Sequence, residues 1–203
     1  KKASIAIVNI INKNNNIKRQ IKVKDTLKFL TKSSKIYRQN INTKIIAITG
    51  SCGKTTLKEL LGTSLKQISK VSISPKSYNN KYGVPLSLFN LVQKNDYGVL
   101  EIGMDKKGEI DYLSKIVQPD VSVITNINYA HAKNFRNLKQ IALAKSEIIN
   151  NTKDNGFIVL NADDNFFALH KKIANKKNLK ILSFGIDNKN SNIKLMNIKK
   201  FAN

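Results

Sequence analysis

Apolar positions in this chain fall into short β-branched runs separated by stretches of helical period. The runs Ile5–Val8, Ile45–Thr49, Val71–Ser74, Tyr97–Ile102, Val121–Ile127, Phe157–Leu160 and Ile181–Phe184 read as strands. Between them, Asp25 or Thr26 caps a helix running to about Gln39, with Leu27, Leu30 and Ser34 on one face. A second helix carries Leu57, Leu60, Leu61, Leu65 and Ile68 on one stripe. Shorter helical patterns cover Pro85–Val92, Gly108–Val117 (Ile110, Leu113, Ile116 and Val117 inward), Asn137–Asn150 and Asp163–Asn175. The polar stretch Asn12–Arg19 reads as a loop, and polar Asn40–Lys44 as a domain boundary, leaving 1–42 and 43–203 on either side. Strands apolar on both faces, alternating with helices, give an α/β fold with a doubly wound, mostly parallel sheet. Ligands of such sheets bind beyond the C-terminal ends of the strands.

The stretch IIAITGSCGKTT, Ile45 to Thr56, places chemistry at one such end. A buried strand stops at Gly50, turns through Ser51, Cys52 and Gly53, and enters a helix at Lys54, Thr55 and Thr56. Glycines let backbone N–H groups converge on an anion, and the helix N-terminus adds partial positive charge. Lys54 would reach the terminal phosphates of a nucleotide, and the Thr55 hydroxyl would coordinate Mg²⁺. The spacing is the tighter G-x-x-G-K-T-T, since Ile48 stands where the general phosphate loop has its first glycine. A plain glycine turn with a solvated lysine is the alternative.

Composition narrows the picture further. In 203 residues, 41% hydrophobic content suffices for a core, and no apolar run approaches the ~20 residues of a membrane span. No signal-peptide pattern is visible. The single Cys52 cannot form an internal disulfide, which agrees with a reducing cytosol. Thirty-six Lys and Arg against 13 Asp and Glu give a net charge of +23, a field that attracts anions. The lysines are scattered among Asn and Ile rather than set in stripes with aromatics, so compositional bias explains them better than a nucleic-acid surface. The first residue is Lys1 rather than Met, so a fragment or a processed product is expected.

Several polar residues fall on the ligand edge. Glu101 ends an apolar strand where a phosphate-loop enzyme needs a carboxylate for Mg²⁺, although a strand-end carboxylate can equally be just solvated. His131 lies in a loop after the next strand, where a histidine can be surface decoration and imidazole is an unusual ligand for a hard ion. Lys145 shares the apolar face of its helix with Leu138, Ile141, Ala142, Ile148 and Ile149, so it either snorkels or is held inward for a purpose. Glu147 lies off that face and reads as a surface charge. Asn79 and Asn80 could bind phosphate or sugar, or merely form a turn. Asn161 could meet a nucleobase, and Asp163 reads as a helix cap.

Together these stretches resemble the Mur ligase family, within it the branch that joins D-alanyl-D-alanine to UDP-N-acetylmuramoyl-tripeptide. The segments ITGSCGKTT, SYNNKYGVPLSL, VLEIGMDKKGEI, PDVSVITNINYAHAKNF, AKSEII and VLNADD stand in family order over about Thr43–Asp164. SYNN-x-x-GVP and EIG-x-x-x-x-GEI separate this branch from the sister ligase that adds the third amino acid. The resemblance implies that Gly50, Ser51, Cys52, Gly53, Lys54, Thr55 and Thr56 hold ATP. It places Mg²⁺ on Thr55, Glu101, His131 and a carbamylated Lys145, with Lys54, Lys145 and His131 catalytic. Asn161 would contact adenine, while Asn79 and Asn80 would line the substrate and γ-phosphate side. Residues 1–42 would be the tail of an N-terminal UDP-substrate domain, and 43–203 an incomplete central ATP-binding domain without the C-terminal ligase domain. The chain is thus expected to be truncated at both ends and inactive alone. Its partners would be the UDP-tripeptide and D-alanyl-D-alanine, with no nucleic acid, in a bacterial cytoplasmic enzyme of cell-wall synthesis that is a monomer when full length. The sequence departs from the family at His131-Ala132-Lys133, where H-L-E is usual, and at Arg136-Asn137, where Gly-Ser is common. Two other classes stay open: another ligase of the superfamily, tripeptide-forming or folate-polyglutamating, and a nucleic-acid-dependent phosphate-loop ATPase.

Overall fold

The computed structural model of the chain describes residues 4–14, 17–92, 94–129, 134–188 and 190–196. In chain order the elements are β1 (Ala6–Val8), β2 (Gln20–Lys22), α1 (Thr26–Gln39), β3 (Lys44–Thr49) and α2 (Lys54–Leu65). There follow β4 (Val71–Ile73), α3 (Gly83–Phe89), β5 (Tyr97–Glu101), α4 (Glu109–Val117), β6 (Val121–Ile124) and α5 (Leu138–Asn150). The last are β7 (Phe157–Asn161), α6 (Phe167–Lys176), β8 (Lys180–Gly185) and β9 (Ile193–Lys194).

Seven strands form one parallel sheet in the order β4-β5-β3-β6-β7-β8-β9, the doubly wound arrangement that the alternating pattern requires. The phosphate-loop strand β3 lies between β5 and β6. Alternate residues of β3 serve opposite layers, as a period of two dictates. Ile45 and Ala47 join the larger core, with Leu88, Leu100, Ile110, Leu113, Ile141 and Ile148. Ile46 and Ile48 face α2, where Leu57, Leu61 and Leu65 cover them together with Val99 and Val123.

The differences from the sequence reading lie at element ends and edges. β2 pairs in parallel with β1 in a separate two-stranded sheet, and a 3-10 turn, Ile17–Arg19, precedes it; three residues with one apolar position, Gln-Ile-Lys, are too few for a strand period to register. β9 is a two-residue edge strand too short for any periodicity to register. Leu60 and Ile68 are 63% and 79% exposed, because α2 ends at Leu65 and turns that side of its stripe to solvent. The expected cap Asp163 lies well before α6, which starts only at Phe167. Asp163 instead accepts the N–H groups of Ile186 (2.5 Å), Asp187 (3.3 Å) and Asn188 (2.7 Å), fixing the turn after β8.

Helix α1 begins as expected, with the Asp25 carboxylate accepting the N–H groups of Leu27 and Lys28 at 2.9 Å. Although it precedes the expected boundary, it packs on α3 and α4. Its anchor is Arg38, 2% exposed, whose guanidinium donates to the carbonyls of Val117 (2.7 Å), Gln118 (3.1 Å) and Ile41 (3.3 Å) and to Asp120 (3.1 Å). The Asp120 carboxylate in turn accepts the Ile45 N–H at 2.9 Å, so one partly buried pair joins α1, the end of α4 and the start of β3. Arg38→Ala strips donors from three carbonyls and should cost about 3 kcal/mol of stability. Urea unfolding followed by circular dichroism measures it, and a loss within experimental error would show that the anchor carries no weight.

Candidate functional site

The site starts from a backbone that only glycine permits. Gly50 has φ +150°, and a Cβ there would stand 1.8 Å from the Thr125 hydroxyl oxygen, so the loop leaves β3 pressed against the end of β6. Gly53 is left-handed, φ 79° and ψ 0°, and turns the chain directly into α2. Between them the loop is fastened by the segment after β6. The Asn126 carbonyl accepts the Ser51 N–H at 2.9 Å, and the Asn126 side chain accepts the Cys52 N–H at 3.1 Å. The Cys52 carbonyl accepts the Thr125 hydroxyl at 2.7 Å. The Ser51 hydroxyl donates to the Asn128 carbonyl and accepts its N–H, at 2.9 and 2.8 Å. Thr125, Asn126 and Asn128 went unnoticed in the sequence; the only signal was a cluster of small polar residues ending a strand that could neighbour β3.

Lys54 folds back over this loop, its ammonium donating to the carbonyls of Gly50 (2.9 Å) and Ser51 (3.3 Å). Thr55, next along α2, donates its hydroxyl to Glu101 Oε2 at 2.7 Å. The other carboxylate oxygen, Oε1, accepts the Asn79 amide at 2.7 Å. Glu101 is 1% exposed. Its carboxylate is thus sealed between the first turn of α2 and the loop after β4, with neutral donors on both oxygens. Asn79 is fixed from behind as well, since its carbonyl accepts the Gly103 N–H at 2.8 Å.

Lys145 projects from α5 and is 2% exposed, so it does not snorkel. Burial, and after it the Lys54 ammonium, pulls its amine from 10.5 down to about 7, with Cys52 acting in the opposite sense. At neutral pH a large part of this amine is uncharged and nucleophilic. Glu147 is not the surface charge expected. It reaches α4 and accepts the N–H groups of Gly108 (2.9 and 3.1 Å) and Asp111 (3.0 Å), capping that helix from its neighbour.

The remaining residues divide. The side-chain oxygen of Asn80 accepts the N–H groups of Tyr82 and Gly83 at 3.0 Å, which starts α3, although the residue lines the same cavity as Lys54 and Asn79. Asn161, at the end of β7, accepts the Asp163 N–H at 3.0 Å. Thr56 is exposed. His131, Ala132 and Lys133 lie outside the described residues. Lys54, Thr55, Asn79 and Glu101 are brought together, and the charge of Lys54 acts on Lys145. A cavity of about 660 Å³ opens beside them, walled by Lys54, Asn79, Tyr82, Gly103, Met104 and Tyr112.

The donors suit a small hard cation: the Thr55 hydroxyl and the Glu101 carboxylate are oxygens, fixed side by side and shielded from water. Among the described residues no cluster of three or more His, Cys, Asp or Glu could hold a metal ion. A divalent ion held by Thr55 and Glu101 would need further ligands from beyond this pair.

Comparison with known proteins identifies the family. Residues 48–203 match the family model of the Mur ligase middle domain. A UDP-N-acetylmuramoyl-tripeptide–D-alanyl-D-alanine ligase of Buchnera aphidicola (from Acyrthosiphon pisum) is 42% identical over 163 residues, 80% of this chain and 35% of that protein. The crystal structure of MurF from Acinetobacter baumannii superposes with a TM-score of 0.82 at 39% identity, covering 90% of this chain and 40% of that one. The MurF ligase of Thermotoga maritima, solved in complex with ADP, gives 0.79 at 32% identity, covering 92% and 42%. The chain thus spans between 35% and 42% of the length of these relatives.

The lowered Lys145 amine has a consequence for stability. Between about 7 and 10.5 the unfolded chain holds a proton on this lysine that the folded chain has released, so stability rises with pH across that window. Below it the folded chain must carry a buried charge. Urea midpoints in CO2-free buffer should therefore climb from pH 7 towards pH 10, by up to about 1.4 kcal/mol per unit from this group. Lys145→Met should remove that part of the slope. Identical slopes in the two proteins would contradict the assignment.

Proposed function

Because the chain belongs to the Mur ligase family, we propose that it is the nucleotide-binding part of an ATP-dependent amide ligase of peptidoglycan-precursor synthesis. The activity named for the relatives, joining D-alanyl-D-alanine to UDP-N-acetylmuramoyl-tripeptide, supports this branch of the family over the tripeptide-forming and folate ligases. In this reading residues 43–203 belong to the central domain and 1–42 to the end of the UDP-substrate domain, in a cytoplasmic enzyme. The observation that carries it is the carboxylate of Glu101, buried against the Thr55 hydroxyl at the mouth of a glycine loop.

The reaction is a carboxylate activation. The terminal carboxylate of the tripeptide attacks the γ-phosphorus of ATP, ADP leaves, and an acyl phosphate results. The amine of D-alanyl-D-alanine then attacks the acyl carbon, phosphate departs, and the amide forms with loss of the amine proton. The loop from Gly50 to Gly53 and the N-terminus of α2 offer N–H groups to the phosphates. Lys54 exchanges the two loop carbonyls it now touches for phosphate oxygens, which are stronger, charged acceptors. Asn79 and Asn80 flank the side from which the carboxylate approaches, and Asn161 lies on the adenine side. Thr55 and Glu101, with His131 and a carbamylated Lys145, would hold Mg²⁺, which would supply neutralisation of charge on the transferring phosphoryl oxygens. Lys145 acquires its carbamate when the neutral amine adds to CO2 and gives up one proton. Burial then favours the form that meets a cation.

Equilibrium binding of ATP to the 203-residue chain tests this reading. With Mg²⁺ present the wild type should bind. Lys54→Ala should weaken binding about tenfold or more, a loss of at least ~1.4 kcal/mol. Glu101→Gln, which keeps the shape of the side chain, should abolish the gain in affinity that Mg²⁺ brings. A wild-type chain that binds no ATP would overturn the proposal.

A further inference from the structure

The largest fully buried side chain in the described structure is a lysine. Lys58, at 0% exposure, lies one turn beyond Lys54 on α2 and is absent from the site described above. A lysine in this place pays a large desolvation cost, so its ammonium must be well partnered. It donates to the Ser74 carbonyl at 2.8 Å and to the Lys76 carbonyl, and forms an ion pair with Glu59 at 3.1 Å. Both carbonyls belong to the segment between β4 and α3 that carries Asn79. Lys76 is left-handed, φ 45°, a conformation unusual for a residue with a side chain. The geometry that brings α2 so close is itself built in: at Gly62, on the same face one turn later, a Cβ would stand 2.2 Å from Ile73 Cδ1.

The segment held in this way forms one wall of the carboxylate site. Ser74 is 2% exposed; its carbonyl meets Lys58 while its hydroxyl accepts the Glu101 N–H at 3.3 Å. Five residues on, Asn79 donates to Glu101 Oε1. Thr55, which donates to the other oxygen, sits three residues before Lys58 on the same helix. One buried ammonium therefore joins the helix that supplies one donor to the loop that supplies the other. An apolar side chain here would pack against β4 but leave the loop carbonyls without a partner.

We propose that Lys58 is a positioning residue of the site: by clamping the Ser74 and Lys76 carbonyls it fixes the distance between Thr55 and Asn79, and so the orientation of the Glu101 carboxylate between them. It acts through the loop and touches neither nucleotide nor metal. The inference rests on the reading of Glu101 and Thr55 as the Mg²⁺-binding pair. It predicts a selective defect, because the loop from Gly50 to Gly53 is held by Asn126 and Asn128 and not by Lys58.

The test is ATP binding to the 203-residue chain with Mg²⁺ and with excess EDTA, comparing wild type with Lys58→Met and Lys58→Gln. Residues that orient metal ligands typically contribute about ten- to a hundredfold to metal affinity. The Mg²⁺ concentration needed for half-maximal enhancement of ATP binding should accordingly rise about tenfold or more in Lys58→Met. It should rise less in Lys58→Gln, which keeps a donor for the carbonyls. Affinity in EDTA should stay within about twofold of wild type, since the phosphate loop is intact. Equal weakening with and without Mg²⁺, an unchanged Mg²⁺ requirement, or failure of both variants to fold would each make Lys58 a purely structural lysine and overturn the proposal. If the wild type binds no ATP at all, the functional reading falls first, which a normal wild type with normal variants does not imply.

Discussion

The parallel pairing of β3 with β5 is the constraint on which the site depends. Register places Ile48 opposite Glu101, one residue before the chain leaves β3 for the glycine loop. Side chains alternate faces along a strand, so a slip of one residue would turn Glu101 to the other side of the sheet. In the observed register, its carboxylate comes out on the side covered by α2, within 2.7 Å of Thr55. What distinguishes the observed register is polar: Glu101 stands at the end of the otherwise apolar β5, and only this pairing brings it beside Thr55. Strand pairing thereby decides whether a hydroxyl and a carboxylate meet.

Among the described residues, four charged side chains are almost wholly buried: Arg38, Lys58, Glu101 and Lys145. They are accommodated in two ways. Arg38 and Lys58 satisfy themselves largely on backbone carbonyls, Arg38 at the end of α4 and Lys58 in the segment after β4. Such contacts join segments distant in sequence and leave no charge seeking a ligand. Glu101 accepts, among the described residues, from the neutral Thr55 and Asn79 side chains, and Lys145 is pushed by its surroundings towards the neutral form. Groups of the second kind would be stabilised by whatever brings the missing charge; in the proposed reading that is a divalent ion for Glu101 and CO2 followed by that ion for Lys145. The first pair builds the frame, and the second pair is where the proposed ligands would act.

Much of this was legible in the sequence, and the reason differs by residue. The strand–loop–helix around Lys54 is local: a β-branched run, two glycines and a helical period suffice to place it. The parallel sheet followed from apolar runs alternating with helices, and the inward aim of Lys145 from its heptad spacing after Leu138. Glu101 could be suspected because strand ends in a parallel sheet point at ligands, but its partner Thr55 could be named only through the motif. The roles of Asp163 and Glu147 were misread for one physical cause. A carboxylate near a helix start reads as that helix's cap, and one off an apolar face as a solvated charge. Here Asp163 holds the turn after β8, and Glu147 caps a neighbouring helix.

Lys58 and Asn126 were missed for a deeper reason. Periodicity assigns a residue to a face, and a lysine between Leu57 and Leu61 counts as polar wherever it points. Its burial is set by how near α2 approaches β4, which depends on the absence of a side chain at Gly62 and on the left-handed turn at Lys76. Those are tertiary facts. Asn126 likewise owes its importance to the adjacency of β6 and β3, which a strand order of 4-5-3-6 establishes and a linear reading does not. The candidate ligand-binding residues are thus readable from motif and strand end, because their chemistry confines them to few residue types. The residues that hold those ligands in place are readable only once the neighbours are known, since a backbone carbonyl, the group they most often grip, is present at every position of the chain.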